Sequence, residues 1–158
     1  ERDDGSYSPD LSVVNLQPEA GPTVGTDIVA VNRVREILPE SRFFRRVYSD
    51  EELAYCNRHS DPAPHLAGLF AAKEAVLKAV GLRSGFSLSE IEITHDANGA
   101  PQVSGCALSG HRVVVSISHD SNWAVAVALA VPLTHPLSRS VAQGLVDHAC
   151  RSMSTRGE

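Results

Sequence analysis

The sequence predicts an α+β fold in which an antiparallel sheet packs on one long helix. Three observations carry this. β-Branched runs stand near both ends of the ordered stretch, at 23–31, 112–119 and 123–131. Between them, an apolar stripe at helical spacing runs from Leu66 to Val80. Asp120-Ser121-Asn122 joins the last two runs so tightly that they must be antiparallel.

The elements follow in order. Residues 1–20 are rich in Asp, Ser, Pro and Gly and read as a flexible tail. Residues 23–31 alternate loosely and read as a strand, and 31–38 as a short helix stopped by Pro39. Ser49-Asp-Glu-Glu52 is a capping box that opens a second helix, to about Arg58. Asp61-Pro62 supplies a cap and a proline at the first helical position, and Gly81 is the natural stop of the long helix. Residues 91–95 read as a strand, Asp96-Ala-Asn98-Gly99 as a hairpin turn with Pro101 close behind, and 112–119 and 123–131 as a second hairpin. In the C-terminal stretch, 141–150 has helical character and 151–158 reads as disordered. The expected division is a tail at 1–20, one domain at 21–132 and an extension at 133–158.

Composition narrows the function. The chain has 158 residues, enough for one domain with a real core. Its 42% apolar and 21% charged residues are ordinary for a soluble globular protein. A net charge of -5 argues against a general nucleic-acid binder. Arg33, Arg35, Arg42, Arg45 and Arg46 nevertheless fall within 14 residues. Cys56, Cys106 and Cys150 form no CxxC metal site and no complete disulfide framework, which points to a reducing, cytoplasmic setting. The longest apolar run, 123–133, is too short to span a bilayer. The first residues are acidic and polar, unlike a signal peptide. A start at Glu1 rather than Met fits a trimmed or processed end, or a domain cut from a larger protein.

The long helix carries the first chemical signal. Lys73 occupies a slot in the apolar stripe of Leu66, Leu69, Phe70, Val76, Leu77 and Val80. Glu74 lies beside it, and Lys78 one turn further on. A carboxylate between two ammonium groups on a half-buried face is costly unless a cation or phosphate uses it. The plainer alternative is an i,i+4 pair of Glu74 with Lys78, with Lys73 snorkelling to water. Two further motifs accompany it. Gly25-Thr-Asp27, followed by Arg33, places a carboxylate on or at the end of the first strand. Ser116-Ile-Ser118-His119, followed by Trp123-Ala-Val-Ala, ends a strand in a histidine at a turn. Asp27 alone would suit a turn cap, and His119 a satisfied turn residue. Trp123 reads as core or as a packing lid. The remaining histidines show no metal spacing such as HExxH.

Taken together, in this order and at these spacings, the three motifs resemble the holo-acyl-carrier-protein synthase family, the small 4'-phosphopantetheinyl transferases. The resemblance covers roughly residues 22–131. It implies Mg²⁺-dependent transfer of the 4'-phosphopantetheine arm of coenzyme A to a serine of an acyl or peptidyl carrier protein, releasing adenosine 3',5'-bisphosphate. By the same resemblance, Asp27 and Glu74 hold Mg²⁺, which prefers a few carboxylates with phosphate oxygens and water. Lys78 stabilises or protonates the leaving phosphate, and Lys73 neutralises phosphate charge. Ser118 and His119 belong to the coenzyme A site. The serine proton passes to a metal-associated water or to Glu74. Arg33, Arg42, Arg45 and Arg46 form a basic docking face for an acidic carrier protein, with Arg35 less clearly placed. The resemblance further implies a homotrimer with active sites between subunits, although some relatives of the fold are pseudodimeric monomers.

The chain departs from the family pattern at several points. Leu69 stands where the family usually has arginine, just before the phenylalanine. Gly81-Leu-Arg83-Ser-Gly85 replaces a Gly-Thr-Gly loop, so Arg83 is the candidate to supply the missing positive charge to coenzyme A. The segment before Arg112 is short where the family often has another helix, and the minimal family member has neither tail. A homologue serving fatty acid, polyketide or peptide synthesis fits these features. The alternative is a non-catalytic module of the same fold that binds coenzyme A or a carrier protein. A generic Mg²⁺-dependent phosphotransferase lacks support, since there is no P-loop or kinase glycine loop.

Overall fold

The structure, a computed structural model, describes residues 21–37, 41–82, 86–108 and 110–138. The tail at 1–20, Arg83 and the proposed helix at 141–150 lie outside the described residues.

The described chain runs β1 (Thr23–Ala30), α1 (Val31–Arg35), α2 (Arg42–Val47), α3 (Asp50–Cys56), α4 (Ala63–Ala79), β2 (Ile91–His95), β3 (Pro101–Gly105), β4 (His111–His119) and β5 (Trp123–Pro132). Short 3₁₀ turns cover Leu88–Glu90 and Cys106–Leu108. β1, β5 and β4 form one antiparallel sheet with β5 in the middle, and β2 and β3 form a separate hairpin. The α+β expectation therefore holds.

β5 shows why the sheet and α4 fit together. Ala124, Ala126, Ala128 and Ala130 alternate on its inner face and are buried. Small side chains let α4 approach closely. Gly25 in β1 completes the fit, since a Cβ there would lie 2.0 Å from the carbonyl oxygen of Ala75. On the opposite face Val24, Ile28, Trp123, Val125 and Val127 are exposed. Trp123 is 53% exposed, which corrects its expected place in the core.

α4 is the hub. It packs on all three strands of the main sheet and on α1, α3 and β2, so it is buried on most of its circumference rather than along a stripe. Its end is fixed by Gly81, whose φ of 76° favours glycine. The capping box at α3 forms as expected: Ser49 Oγ accepts from Glu52 N–H, and the Glu52 carboxylate accepts from Ser49 N–H. α2 was not anticipated from the sequence. It is six residues long and buries Phe44 and Val47 against the core, an anchorage that lets so short a helix persist.

Candidate active site

Strand register brings the first carboxylate to the helix. Gly25, Asp27 and Val29 alternate on one face of β1 and pair with Ala128, Ala126 and Ala124 of β5. That face meets α4. Lys78 Nζ donates to Asp27 Oδ1 at 2.7 Å and to the carbonyl of Thr26 at 2.9 Å. Lys78 thus bonds across to β1. The Asp27 side chain is 18% exposed and that of Lys78 51%.

Glu74, one turn before Lys78, completes the cluster. Partial burial pushes its carboxyl above the usual carboxylate range, the Asp27 charge pushes the same way, and Lys78 opposes both. Two carboxylates that repel one another, one of them at the wall of an open groove, form a donor set suited to a small hard cation. Among the described residues no group of three or more His, Cys, Asp or Glu side chains converges on a metal position, and Asp27 and Glu74 offer two carboxylates. That fits Mg²⁺, which keeps water and phosphate oxygens in its shell.

Glu74 lines two adjoining grooves. One, of about 510 Å³, is walled by Arg42, Phe43, Arg46, Val47, Phe70 and Phe86. The other, of about 580 Å³, runs past Leu77, Lys78 and Gly81. Glu74 is thus flanked by exposed arginines of α2 on one side and by Lys78 on the other. Arg33 lines a neighbouring cavity with Phe43 and Phe70. Arg45 is exposed on α2 but lines neither groove. Arg35 is taken up by an ion pair with Asp61.

Comparison with known proteins fits this geometry. A sequence profile described as the 4'-phosphopantetheinyl transferase superfamily matches residues 23–128. The chain belongs to this superfamily. It is 40% identical over 105 residues to a holo-[acyl-carrier-protein] synthase of Thermodesulfovibrio yellowstonii, covering 65% of this chain and 92% of that one. It is 42% identical over 115 residues to the synthase of Chlorobaculum parvum, covering 70% and 98%. A solved holo-(acyl-carrier-protein) synthase of Bacillus anthracis, in complex with CoA (3',5'-ADP), superposes with a TM-score of 0.64 at 32% identity, covering 72% of this chain and 99% of that one.

Three expected members of the site lie elsewhere. Lys73 is fully buried on another side of α4. Its Nζ donates to Glu52 Oε2 and to the Val47 carbonyl, each at 2.5 Å. Burial pulls its ammonium below the ordinary lysine range, with Glu52 opposing. It has no open path to a phosphate, so its expected role at the coenzyme A site is corrected to a structural one. The partner it required, Glu52, escaped the sequence reading because the capping box already accounted for that carboxylate.

His119 and Ser118 are exposed at the end of β4. The His119 ring meets His65 at 4.6 Å between centroids, beside Gly68 in the first half of α4. Lys78 lies ten residues further along, about 15 Å by helical rise. Within this chain, Ser118 and His119 are therefore not gathered with Asp27, Glu74 and Lys78. His119 instead ends a chain of rings: His65 stacks on His59 at 3.6 Å, and Tyr55 stacks on His95 at 4.2 Å. Leu69 is buried and lines the small cavity beneath these rings. Its side chain lines neither groove at Glu74, so this departure from the family pattern leaves the carboxylate–lysine cluster intact.

Proposed function

We propose that this protein transfers the 4'-phosphopantetheine arm of coenzyme A to a serine of an acyl or peptidyl carrier protein. The convergence of Asp27, Glu74 and Lys78 beside a groove walled by Arg42 and Arg46 carries this reading. The serine oxygen forms a new bond to the phosphorus that bears the pantetheine arm. The bond from that phosphorus to the bridging oxygen breaks, and adenosine 3',5'-bisphosphate leaves with the electron pair. Asp27 and Glu74 are the residues that would hold Mg²⁺, which when bound screens the pyrophosphate charge. Lys78 stabilises the charge that grows on the departing phosphate. Glu74, held above the usual carboxylate range, suits acceptance of the serine proton. Arg42 and Arg46, with Arg33 and Arg45 at the periphery, attract an acidic carrier protein.

The same reading takes the assembly to be a homotrimer in the cytoplasm. Val24, Ile28, Trp123, Val125 and Val127 make an exposed apolar face that calls for a cover. Ser118 and His119 reach a coenzyme A site only if that site belongs partly to a neighbouring subunit. Among the described residues no helix is long and apolar enough to cross a membrane.

Incubation with labelled coenzyme A, Mg²⁺ and apo carrier proteins tests the proposal. Label is expected on the carrier serine. A folded protein that binds coenzyme A yet labels no carrier in a broad panel would support the non-catalytic alternative instead.

A further inference from the structure

The ion pair between Lys73 and Glu52 takes no part in the chemistry proposed above. A buried pair is also weak evidence for stability, because well-packed apolar residues often serve as well. Its geometry, however, is specific. Lys73 is 0% and Glu52 1% exposed. Lys73 Nζ binds both Glu52 and the Val47 carbonyl at 2.5 Å. The Glu52 carboxylate also accepts from Ser49 N–H at 2.9 Å and Ile93 N–H at 2.8 Å. One charge pair thus fastens the end of α2, the start of α3 and the strand β2 to α4.

We propose that Lys73 and Glu52 are positioning residues for carrier-protein recognition: they hold the arginine-bearing helix α2 at a fixed register opposite Glu74. The inference rests on the reading that the carrier protein docks on α2. Val47, whose carbonyl Lys73 holds, lines the same groove as Arg42, Arg46 and Glu74. Lys73 directly precedes Glu74 in α4. The pair therefore links the two walls of the groove. A six-residue helix has little stability of its own. The apolar contacts of Phe44 and Val47 hold it to the core but are non-directional. A hydrogen bond to one particular carbonyl, made by an ammonium that is itself fixed by Glu52, sets register as those contacts cannot. A displaced α2 keeps its charge but presents the carrier serine out of line with the site.

Transfer kinetics of the Lys73→Met/Glu52→Gln double variant test this. The two changes remove one charge of each sign and keep an amide oxygen for the Ser49 and Ile93 N–H groups. The KM for carrier protein is expected to rise about tenfold more than the KM for coenzyme A, as small misplacements cost affinity and rate. The salt dependence of docking should stay that of the unaltered protein, because the arginines are untouched. A pair that serves stability alone would lower the melting temperature and leave the ratio of the two KM values unchanged; that result overturns the proposal. If the double variant does not fold, Glu52→Asp decides, since it retracts the carboxylate but keeps the charge. It is expected to shift the same ratio in the same direction, and an unmoved ratio overturns the proposal. No transfer by the unaltered protein overturns the functional reading and this proposal with it. Transfer with an unmoved ratio overturns this proposal alone.

Discussion

Replacing Lys78 by Met separates catalysis from stability. Met keeps most of the stem and deletes the charge, so packing changes little. The structure sets the stability cost. The Lys78–Asp27 pair is made by a half-exposed ammonium, and such pairs contribute about 0–1 kcal/mol. For a chain of this size, that lowers the melting temperature by no more than about 4 °C. The catalytic cost is of another order. A preorganised charge aimed at the leaving phosphate is worth about 3–4 kcal/mol in the transition state. At about 1.4 kcal/mol per decade, kcat should fall by roughly two to three orders of magnitude. Among the described residues, and without metal, removing Lys78 also removes the charge that opposes the upward push on Glu74 from burial and Asp27. The Glu74 carboxyl then stays protonated to higher pH. If the reaction needs it ionised, the acid limb of kcat/KM moves to higher pH. Label transfer at saturating Mg²⁺ and carrier protein reads the loss in kcat, and transfer at limiting Mg²⁺, where proton and metal compete for Glu74, reads the acid limb. Turnover within about threefold of the unaltered protein, with an unmoved acid limb, would refute the role given to Lys78.

The other expectations concern metal, docking and assembly. Mg²⁺ at a hundredfold excess over its dissociation constant should stabilise the unaltered protein by about 2.7 kcal/mol; Asp27→Ala and Glu74→Gln should lose that thermal shift and all transfer. A carboxyl held above its ordinary range favours the fold below that range and loses this contribution as pH rises through its folded value. Without metal, Glu74→Gln should therefore raise the melting temperature at neutral pH and show no such gain below the ordinary carboxylate range. Arg42→Glu with Arg46→Glu should raise the KM for carrier protein far more than that for coenzyme A, and docking to the unaltered protein should weaken with salt; equal losses for both substrates would count against a basic docking face. Val125→Asp with Val127→Asp, on the exposed sheet face, should yield monomers in sedimentation and lose transfer, whereas an unchanged sedimentation coefficient would remove that face from the assembly.

Much of the fold was legible because its signals are local. The alternation Trp123-Ala-Val-Ala-Val-Ala has period two, so it marks both the strand and its buried face. Asp61-Pro62 and Gly81 bracket α4 because caps and stops are short-range chemistry. α2 escaped notice because Arg42-Phe-Phe-Arg-Arg-Val47 has no cap box and too few residues for a helical period to stand out. Its conformation is decided by what it leans on, which no local pattern records.

The two lysines of α4 show the same limit within the site. At the level of sequence, Lys73 and Lys78 flank Glu74 symmetrically and both suit a phosphate. The structure separates them by direction. At 100° per residue, five positions rotate a side chain by about 140° around the axis, so the two ammonium groups cannot share one face. Lys78 falls on the side where Gly25 lets β1 approach and meets Asp27. Lys73 falls toward α3 and β2 and meets Glu52, 21 residues upstream. Which lysine meets Asp27 is thus decided by the phase of α4 against β1, and that phase is set by the small residues Gly25 and Ala75 at their crossing. A bulky side chain at Gly25 would have to displace α4 and would carry Glu74 and Lys78 away from Asp27 together. Gly25→Val is accordingly expected to lose both the Mg²⁺-induced thermal shift and transfer, although it changes none of the three charged groups.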